Sequence, residues 1–582
     1  MENARSTSWR SAARSRFTDP EMINGLLNLQ RASWLPLLGL PADAVALDVG
    51  CGYGAIAHSL ALAMKEVCAI EAVPERIEFT QERLRQEKLD NVTLVQASAM
   101  DLPFFESSFD LVVLNGILEW VGEWDPEGRP RDVQLKFLSS VRRLLKDGGV
   151  AVIGIENRFS LGSILGGQDH SGIQYTSLVP RWFATRMLRR SSTAHYRTVL
   201  NAKKEYRTYT YSAPGYRKLV AEAGYGASTV YWAIPNYNEP SQLVPVEARP
   251  LIREVSLDFL DHPGRPGRSA LRRKAKRMLA GSSAFRWLLP NFVIVASKNP
   301  DRRNEMELHL RELLGGNSSA ASPEANRRVF ASSTRPFTNK SVLRPCGPAA
   351  GDYIIKANLH APSTASESVR AELENLSQVR KLIQADAKVS FRVPEPVGSI
   401  SSGKIAYAVE SEARGVKFSR LVRTPGYAGN LEGVEKQFGQ VLAAIADMSR
   451  VLRKFENAPA IDSGWYNPPD EIRQDGYLAG TLQERRYIRK DVEPLPALWV
   501  QHGDLSVENV FLDKATGKVE VIDWSEVAAG LPPLYDAFML ILSSALLDPS
   551  SKAPVGSSPQ AGWLASFSDM FLSTQGLGVV FR

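Results

Sequence analysis

The sequence predicts two folded parts in series: an α/β N-terminal domain built on a doubly wound parallel sheet, and an α+β, two-lobed C-terminal domain. Three observations carry that reading. From about Ala44 to Lys146, short β-branched runs alternate with helical stretches, the pattern of strands joined by crossover helices. A turn rich in glycine, with Gly50, Gly52 and Gly54, falls where the first strand gives way to a helix. After the apolar run Asn291 to Ala296 the chain turns polar from Pro300 to Arg328, with Gly315-Gly316-Asn317-Ser318-Ser319 and Ser322-Pro323, the composition of a linker. The expected boundaries are residues 1–300, a linker at 301–327, and residues 328–582.

The elements follow in order. Ala46 to Val49 reads as a strand, Ala55 to Met64 as a helix, Glu66 to Ile70 as a strand, and Pro74 to Lys88 as a charged amphipathic helix. Thr93 to Gln96 and Phe109 to Leu114 are two more strands. Leu135 to Leu145 is a helix closed by Lys146-Asp147-Gly148-Gly149 before the strand Val150 to Ile155. A parallel sheet of this kind binds ligands at the carboxyl ends of its strands, near the point where strand order reverses. The insertion from about Asn157 to Met278, rich in Tyr, Arg, Ser and Pro, is too long for a plain loop and is expected to cover a substrate; Asn291 to Ala296 is the last strand of the domain.

Length and composition permit two domains, each with its own core: 582 residues, 44% hydrophobic and 23% charged. No apolar run reaches the roughly 20 residues that span a bilayer, and the N-terminus, with Arg5, Arg10, Arg14 and Arg16, lacks a signal-peptide core. Cys51, Cys68 and Cys346 fit neither a disulfide framework nor a zinc site, so a reducing, cytoplasmic setting is expected. The net charge of +7 is unevenly spread, with seven basic residues and no acid from Arg265 to Arg277. That run suits a helix whose polar face meets anionic lipid at the inner face of a membrane, and equally a solvated face. No aromatic residues interleave with it and no nucleic-acid motif accompanies it, so nucleic acid is not expected as a partner.

Two sites carry chemistry. In the first, Leu47-Asp48-Val49-Gly50-Cys51-Gly52-Tyr53-Gly54, the glycines let the backbone turn sharply and approach a ligand, while Asp48 can accept from an ammonium group. The glycines are spaced by two, unlike the dinucleotide fingerprint, so no pyrophosphate cradle is implied. Glu71 ends the second strand, where a carboxylate can take both ribose hydroxyls. Together these residues resemble the class I S-adenosylmethionine-dependent methyltransferases, Rossmann-like enzymes, over about residues 44–155. The resemblance implies S-adenosylmethionine as cofactor. It puts Ser98 and Ala99, in Ala97-Ser98-Ala99-Met100-Asp101-Leu102-Pro103-Phe104, at the adenine contact. Ser98 stands where the family has an acid; either Ser98 or the displaced Asp101 would make the bond. Asn115, in Leu114 to Val121, falls on the stretch that lines the methyl-transfer face.

Beyond Ile155, Glu156-Asn157-Arg158-Phe159, Asp169-His170-Ser171-Gly172 and Leu178-Val179-Pro180-Arg181 resemble methyltransferases of bacterial polysaccharide clusters. His170 beside Asp169 is the candidate general base toward a sugar hydroxyl, its ordinary pKa lying near neutrality; a hydrogen-bonded turn is the other reading of the pair.

The second site is the window His502-Gly503-Asp504-Leu505-Ser506-Val507-Glu508-Asn509 followed by Val521-Ile522-Asp523-Trp524. Phosphoryl transfer needs a carboxylate to take the proton of the attacking hydroxyl and oxygen ligands for metal ions. Asp504 has the place of the base, Asn509 and Asp523 those of metal ligands. With Gly after His, and Asp-Trp in place of Asp-Phe-Gly, this resembles the aminoglycoside and choline phosphotransferase family of protein-kinase-like enzymes. Asp536 in Tyr535-Asp536 matches the family's structural acid. The resemblance implies ATP and Mg2+, Lys356 in Tyr353-Ile354-Ile355-Lys356 on the phosphates, Glu372 as its ion-pair partner, and a hinge near Glu410. Two features depart from the family. No glycine-rich loop precedes Lys356; the candidate is the polar Ala331-Ser332-Ser333-Thr334-Arg335, whose Ser and Thr hydroxyls and backbone amides are expected to cradle the phosphates, and Ser506-Val507-Glu508 replaces His-Pro-Gly.

Two such sites on one chain suggest one acceptor: a small molecule, a sugar or a lipid-linked glycan of bacterial surface polysaccharide biosynthesis, both phosphorylated and methylated. The alternative is a methyltransferase whose kinase-like part binds acceptor or nucleotide without catalysis.

Overall fold

The computed structural model describes residues 8–190, 205–261, 278, 282, 285–302, 304–315, 329–334, 340–346, 352–359, 368–386, 388–423, 431–459, 500–531 and 535–546. Two compact units emerge, one of Met1–Leu260, Ser269–Ser363 and Ser399–Val409, the other of Asp261–Arg268, Thr364–Gly398 and Glu410–Arg582. The basic run at 265–277 lies outside the described residues. Among them, no helix is long and apolar enough to cross a membrane, and Cys51, Cys68 and Cys346 are free thiols.

The first unit begins with β1 (Val45–Val49), β2 (Glu66–Glu71), β3 (Val92–Gln96), β4 (Phe109–Asn115) and β5 (Leu145–Glu156). These strands run parallel in the order β5-β4-β1-β2-β3, with Asp48 opposite Ala69 on one side and Val113 on the other. Strand order therefore reverses between β1 and β4, and β1 opens its carboxyl end into the crevice made there. β1 is covered on both faces, which is why Val45-Ala46-Leu47-Asp48-Val49 is apolar except for Asp48. Crossover helices Ala55–Ala63, Pro74–Gln86 and Pro130–Leu144 close the doubly wound layers. The last starts five residues before Leu135, at a proline whose fixed φ suits the first helical position. The expected turn at Lys146 to Gly149 is part of β5, which shifts register between Phe109 and Leu111.

The insertion is more than a cover. It supplies helix Ala213–Glu222 and two sheet strands, β6 (Ala227–Ile234) and β7 (Gln242–Pro245). β8 (Asn291–Ser297) lies antiparallel between β5 and β6, and β7 is antiparallel to β6. The segment expected as linker contains helix Glu305–Leu313, started by the Asn304 side chain accepting from Glu307 N–H and burying Met306 and Leu310. The sheet then continues into β9 (Val329–Thr334), β10 (Lys340–Cys346) and β11 (Tyr353–Asn358), with β9 joined to β7 through Gln242↔Ser333 and Leu243↔Ser332. One apolar layer runs beneath it, including Leu38, Leu60, Val113, Val295, Leu310, Leu343 and Ile355. The compact unit thus ends beyond residue 300, because β7 pairs with β9 and carries the sheet onward.

After β12 (Phe391–Arg392) come β13 (Pro396–Ser402) and β14 (Ile405–Ser411), whose residues 399–409 belong to the first unit. The second unit holds β15 (Val416–Lys417), β16 (Val500–Gln501), β17 (Val510–Leu512), β18 (Val519–Val521) and β19 (Ala528–Ala529). Its small sheet has the order β12-β18-β17-β15, and helices Val369–Gln384, Leu431–Leu452 and Tyr535–Leu546 accompany it. Leu376, Phe418, Phe438, Leu505, Val510 and Trp524 form its core, so the catalytic-loop window is anchored by its own apolar residues.

Candidate functional site

At the end of β1, Gly50, Gly52 and Gly54 all adopt left-handed backbone, with φ of 70°, 57° and 73°. They differ in what a side chain would meet. A Cβ at Gly50 would lie 2.5 Å from Ile117 and one at Gly54 2.4 Å from Thr80, whereas one at Gly52 meets nothing within 4 Å. Gly52 is the position where backbone faces open space.

Asp48 is buried, and its Oδ2 has no hydrogen-bond partner. Burial pushes its carboxyl up to about 7, against the pull of Arg31. Glu71 is fixed by backbone: Oε2 accepts from Gly52 N at 3.0 Å, and Oε1 from Ala72 N and Val73 N at 3.0 and 3.1 Å. The second strand's carboxylate thus ties down the glycine turn. Ser98 and Asp101 are both exposed, and Ser98 Oγ accepts from Met100 N at 3.2 Å. Ala99 packs against the core, and Asn115 ends β4 with its side-chain amide 2.9 Å from Asn238 Oδ1.

The expected pairing of His170 with Asp169 is replaced by another. Asp169 accepts from Ser171 N, Thr176 Oγ1 and Tyr206 Oη, each at 2.8 Å. His170 Nε2 turns instead to Glu156 Oε2 at 3.2 Å and Glu119 Oε1 at 3.9 Å, with its ring 4.7 Å from that of Trp120. The 3.2 Å contact is an ion pair, its geometry falling short of a hydrogen bond. Burial opposes the charged ring, but Glu156, Glu119 and Asp169 outweigh it and raise His170 to about 9. While it faces the two carboxylates alone, the imidazole therefore favours its protonated form. Burial would raise Glu156, yet His170 and the Tyr237 hydroxyl, 2.7 Å from Oε1, hold it below its ordinary range.

In the second unit the catalytic-loop window is held from several sides. His502 is buried, with Nε2 3.0 Å from Ile522 O and its ring against Trp524. Asp536 accepts from His502 N at 2.8 Å and Gly503 N at 3.0 Å, clamping the loop as its structural role requires. Asn509 Nδ2 donates to Asp504 O at 2.7 Å and Asp504 Oδ2 at 3.1 Å. The β17–β18 pair, with Ile522 N donating to Asn509 O at 3.0 Å, returns the chain so that Asp523 follows directly. Asp523 is left-handed, φ 66°, and its Oδ1 accepts from Ser525 Oγ at 3.1 Å. Asn509 thus bonds Asp504 on one side and, on the other, the backbone of Ile522, the residue before Asp523.

Gly503 explains the residue after His: at φ 85° a Cβ there would lie 2.0 Å from Glu526 O. Glu508 explains another departure, since it bonds Lys417 Nζ and Arg423 Nη2, both at 2.9 Å, and so ties the loop to helix Phe418–Val422. Lys356 is buried on β11 in the first unit and Glu372 on helix Val369–Gln384 in the second. The polar segment 331–334, expected as a phosphate-cradling loop, is strand β9. Its residues are engaged in pairing with β10, and Thr334 Oγ1 is 2.6 Å from Ser341 Oγ; Arg335 lies outside the described residues.

Arg31 and Tyr237 have no place in the sequence-derived sites, and Glu119 and Glu156 fall within the segments quoted there without a role of their own. In chain order the four come from the segment before β1, the turn after β4, the end of β5 and the turn after β6, and nothing in local spacing joins them.

Comparison with known proteins agrees with the division of motifs. Residues 47–153 match the methyltransferase domain family, and residues 342–565 match the phosphotransferase enzyme family. A demethylmenaquinone methyltransferase of Staphylococcus aureus is 32% identical over 118 residues, 20% of this chain and 44% of that protein. One from Oceanobacillus iheyensis is 26% identical over 140 residues, 23% of this chain and 55% of that protein. The chain spans about half the length of the curated relatives it matches. A solved SAM dependent methyltransferase from Aquifex aeolicus is 19% identical with a TM-score of 0.22, covering 31% of this chain and 86% of that one.

Proposed function

We propose that this chain, which joins a Rossmann-like methyltransferase domain to a kinase-like phosphotransferase-family domain, is a bifunctional enzyme acting on a glycan or glycolipid. It phosphorylates a hydroxyl of the acceptor and methylates the same molecule, in bacterial surface polysaccharide biosynthesis. The observation that carries the reading is the pair of acid-centred turns: Asp48, with an unpartnered buried oxygen, on the strand that leads into the Gly52 turn, and Asn509 bonded both to Asp504 and to Ile522, the residue before Asp523.

The residues fit their groups. S-adenosylmethionine, when bound, supplies a methyl group on a cationic sulfur. Asp48 would take its ammonium, Glu71 its ribose hydroxyls, and Ser98, Ala99 and Asn115 would line the adenine and methyl-transfer ends. Gly50 and Gly54 let the turn close, and Gly52 leaves room for the ligand. In the second site, magnesium-bound ATP supplies the phosphoryl group. Asp504 would accept the proton of the attacking hydroxyl, and Asn509 and Asp523 would hold the metal.

The surroundings of His170 bear on the order of steps. Its Nε2 faces Glu156 and Glu119 and is not free to take a proton from a sugar hydroxyl, whereas a phosphate oxygen is anionic and needs no base. Phosphorylation first, then methylation of the new phosphate, follows. A second reading, in which the kinase-like part binds acceptor or nucleotide without catalysis, is favoured to the extent that residues 331–334, among the described residues, form a strand and offer no phosphate cradle.

The test is to incubate full-length protein with labelled S-adenosylmethionine, ATP and a lipid-linked sugar extract, and to weigh the product. The reading expects methyl label only after ATP, on a species that has gained phosphate, and loss of both in Asp504→Ala while cofactor binding persists. Methylation indifferent to ATP would overturn it and favour the second reading.

A further inference from the structure

We propose that Glu119, Glu156 and His170 form a site for one divalent transition-metal ion of the Mn2+, Co2+ or Zn2+ class. Glu119 comes from the turn after β4, Glu156 ends β5 and His170 comes from the insertion, so three segments distant in sequence converge on one point. One ligand atom from each lies within 4.8 Å of the other two. His170 Nε2 is 3.2 Å from Glu156 Oε2 and 3.9 Å from Glu119 Oε1. Donors bonded at about 2.1 Å to a tetrahedral ion stand about 3.4 Å apart, so His170 and Glu156 are already near that spacing and the Glu119 carboxylate would swing inward to complete the set.

Two further observations point to a ligand. Glu156 Oε2 and His170 Nε2 are both shielded from water and face each other at 3.2 Å outside hydrogen-bond geometry, an ion pair into which a cation can insert in place of the imidazolium proton. The other Glu156 oxygen is held by Tyr237 Oη at 2.7 Å and the His170 ring lies against Trp120, the outer supports that orient metal ligands. One imidazole with two carboxylates suits a borderline cation better than Mg2+ or Ca2+, which take oxygen.

Such an ion changes what the methyl-transfer face accepts. Two carboxylates alone repel a phosphate or a polarised hydroxyl, while an ion with three protein ligands keeps positions open for an acceptor oxygen and draws it in. The binding site itself stands on the three side chains and holds whether or not the proposed acceptor is right.

Co2+ tests it, titrated into full-length protein carrying Asp523→Asn so that the second site contributes nothing. Visible absorbance counts bound ions, and quenching of Trp120 fluorescence reports locally. One equivalent is expected, weakened at least about tenfold in both Glu156→Gln and His170→Gln. No bound Co2+, or binding unchanged in both variants, overturns the proposal. Glu119→Gln is buried and carries a folding risk, so the other two decide, each checked by circular dichroism. Calorimetry with S-adenosylmethionine on the same samples separates the two claims: cofactor binding without Co2+ sinks the metal site alone, and the converse sinks the methyltransferase reading alone.

Discussion

A buried carboxylate with an empty-handed oxygen sets the chemistry of the first site. Asp48 is raised to about 7 because burial disfavours its charge more than Arg31 favours it, and the nearby Glu71 adds to the rise. A cationic ligand prefers the ionised form and so expels the proton on binding. Affinity for S-adenosylmethionine should therefore climb as pH rises toward and through 7, being about tenfold weaker at pH 6 than at pH 8. Calorimetry across that range checks this, and Asp48→Asn should bind weakly with a flat profile; a flat profile in the unmodified protein refutes it. At Gly503 the argument is steric. Ala there must take a positive φ and push against the Glu526 carbonyl, so Gly503→Ala should destabilise the second unit by about 2 kcal/mol or more in chemical unfolding. Contacts were legible where the partners are close in sequence: Asp48 leading into its left-handed glycines, and Asp504 hydrogen-bonded to Asn509. They were not where partners are brought by the fold. Asp169 and His170 are neighbours in the chain, yet one serves Tyr206 and Thr176 while the other faces Glu119 and Glu156, and no spacing rule carries that information.

Elements were read well where one period dominates. β1, β2 and β4 are buried runs of aliphatic residues and stood out as strands, as did the charged helix Pro74–Gln86. β6 escaped because it lies in the insertion read as a whole as a substrate cover, although Tyr231 and Trp232 are buried in the sheet. β9 escaped because Ser332, Ser333 and Thr334 read as loop chemistry, although Ser332 and Thr334 are buried and their backbone pairs with β7 and β10. The catalytic loop shows how a departure from a family pattern can be absorbed by an element. Glu508 links it to helix Phe418–Val422 through Lys417 and Arg423, and Ser419 N donates to Val507 O at 2.9 Å alongside. Burial would raise Glu508, but the two cations hold it below its ordinary range. The side chains are partly exposed and screened, so Glu508→Ala should cost little stability, about 1 kcal/mol or less. Its effect should appear as faster amide exchange over Ser506 to Val510 and a several-fold lower ATP turnover; unchanged exchange would mean the loop holds itself.

For the whole molecule, the continuous sheet has the largest consequence. A boundary near residue 300 is natural from composition, because the chain becomes polar there and the motifs change. The apolar layer does not stop with it: Phe330, Leu343 and Ile355 share one cluster with Tyr231, Leu243 and Val295. Cutting after residue 300 would strip β9 from β7, leaving Gln242 and Leu243 on an open edge and uncovering their apolar neighbours. Each large aliphatic side chain returned to water costs about 1.5 to 3 kcal/mol, and an unfilled edge invites pairing between copies. A fragment of residues 1–300 should therefore aggregate, or melt several degrees below the full chain and bind S-adenosylmethionine less tightly, even though every residue assigned to that cofactor is present. Light scattering and thermal unfolding of the two proteins decide it. A monomeric fragment with the full chain's melting temperature and affinity would show that the strand bearing Lys356 adds nothing to the sheet it extends.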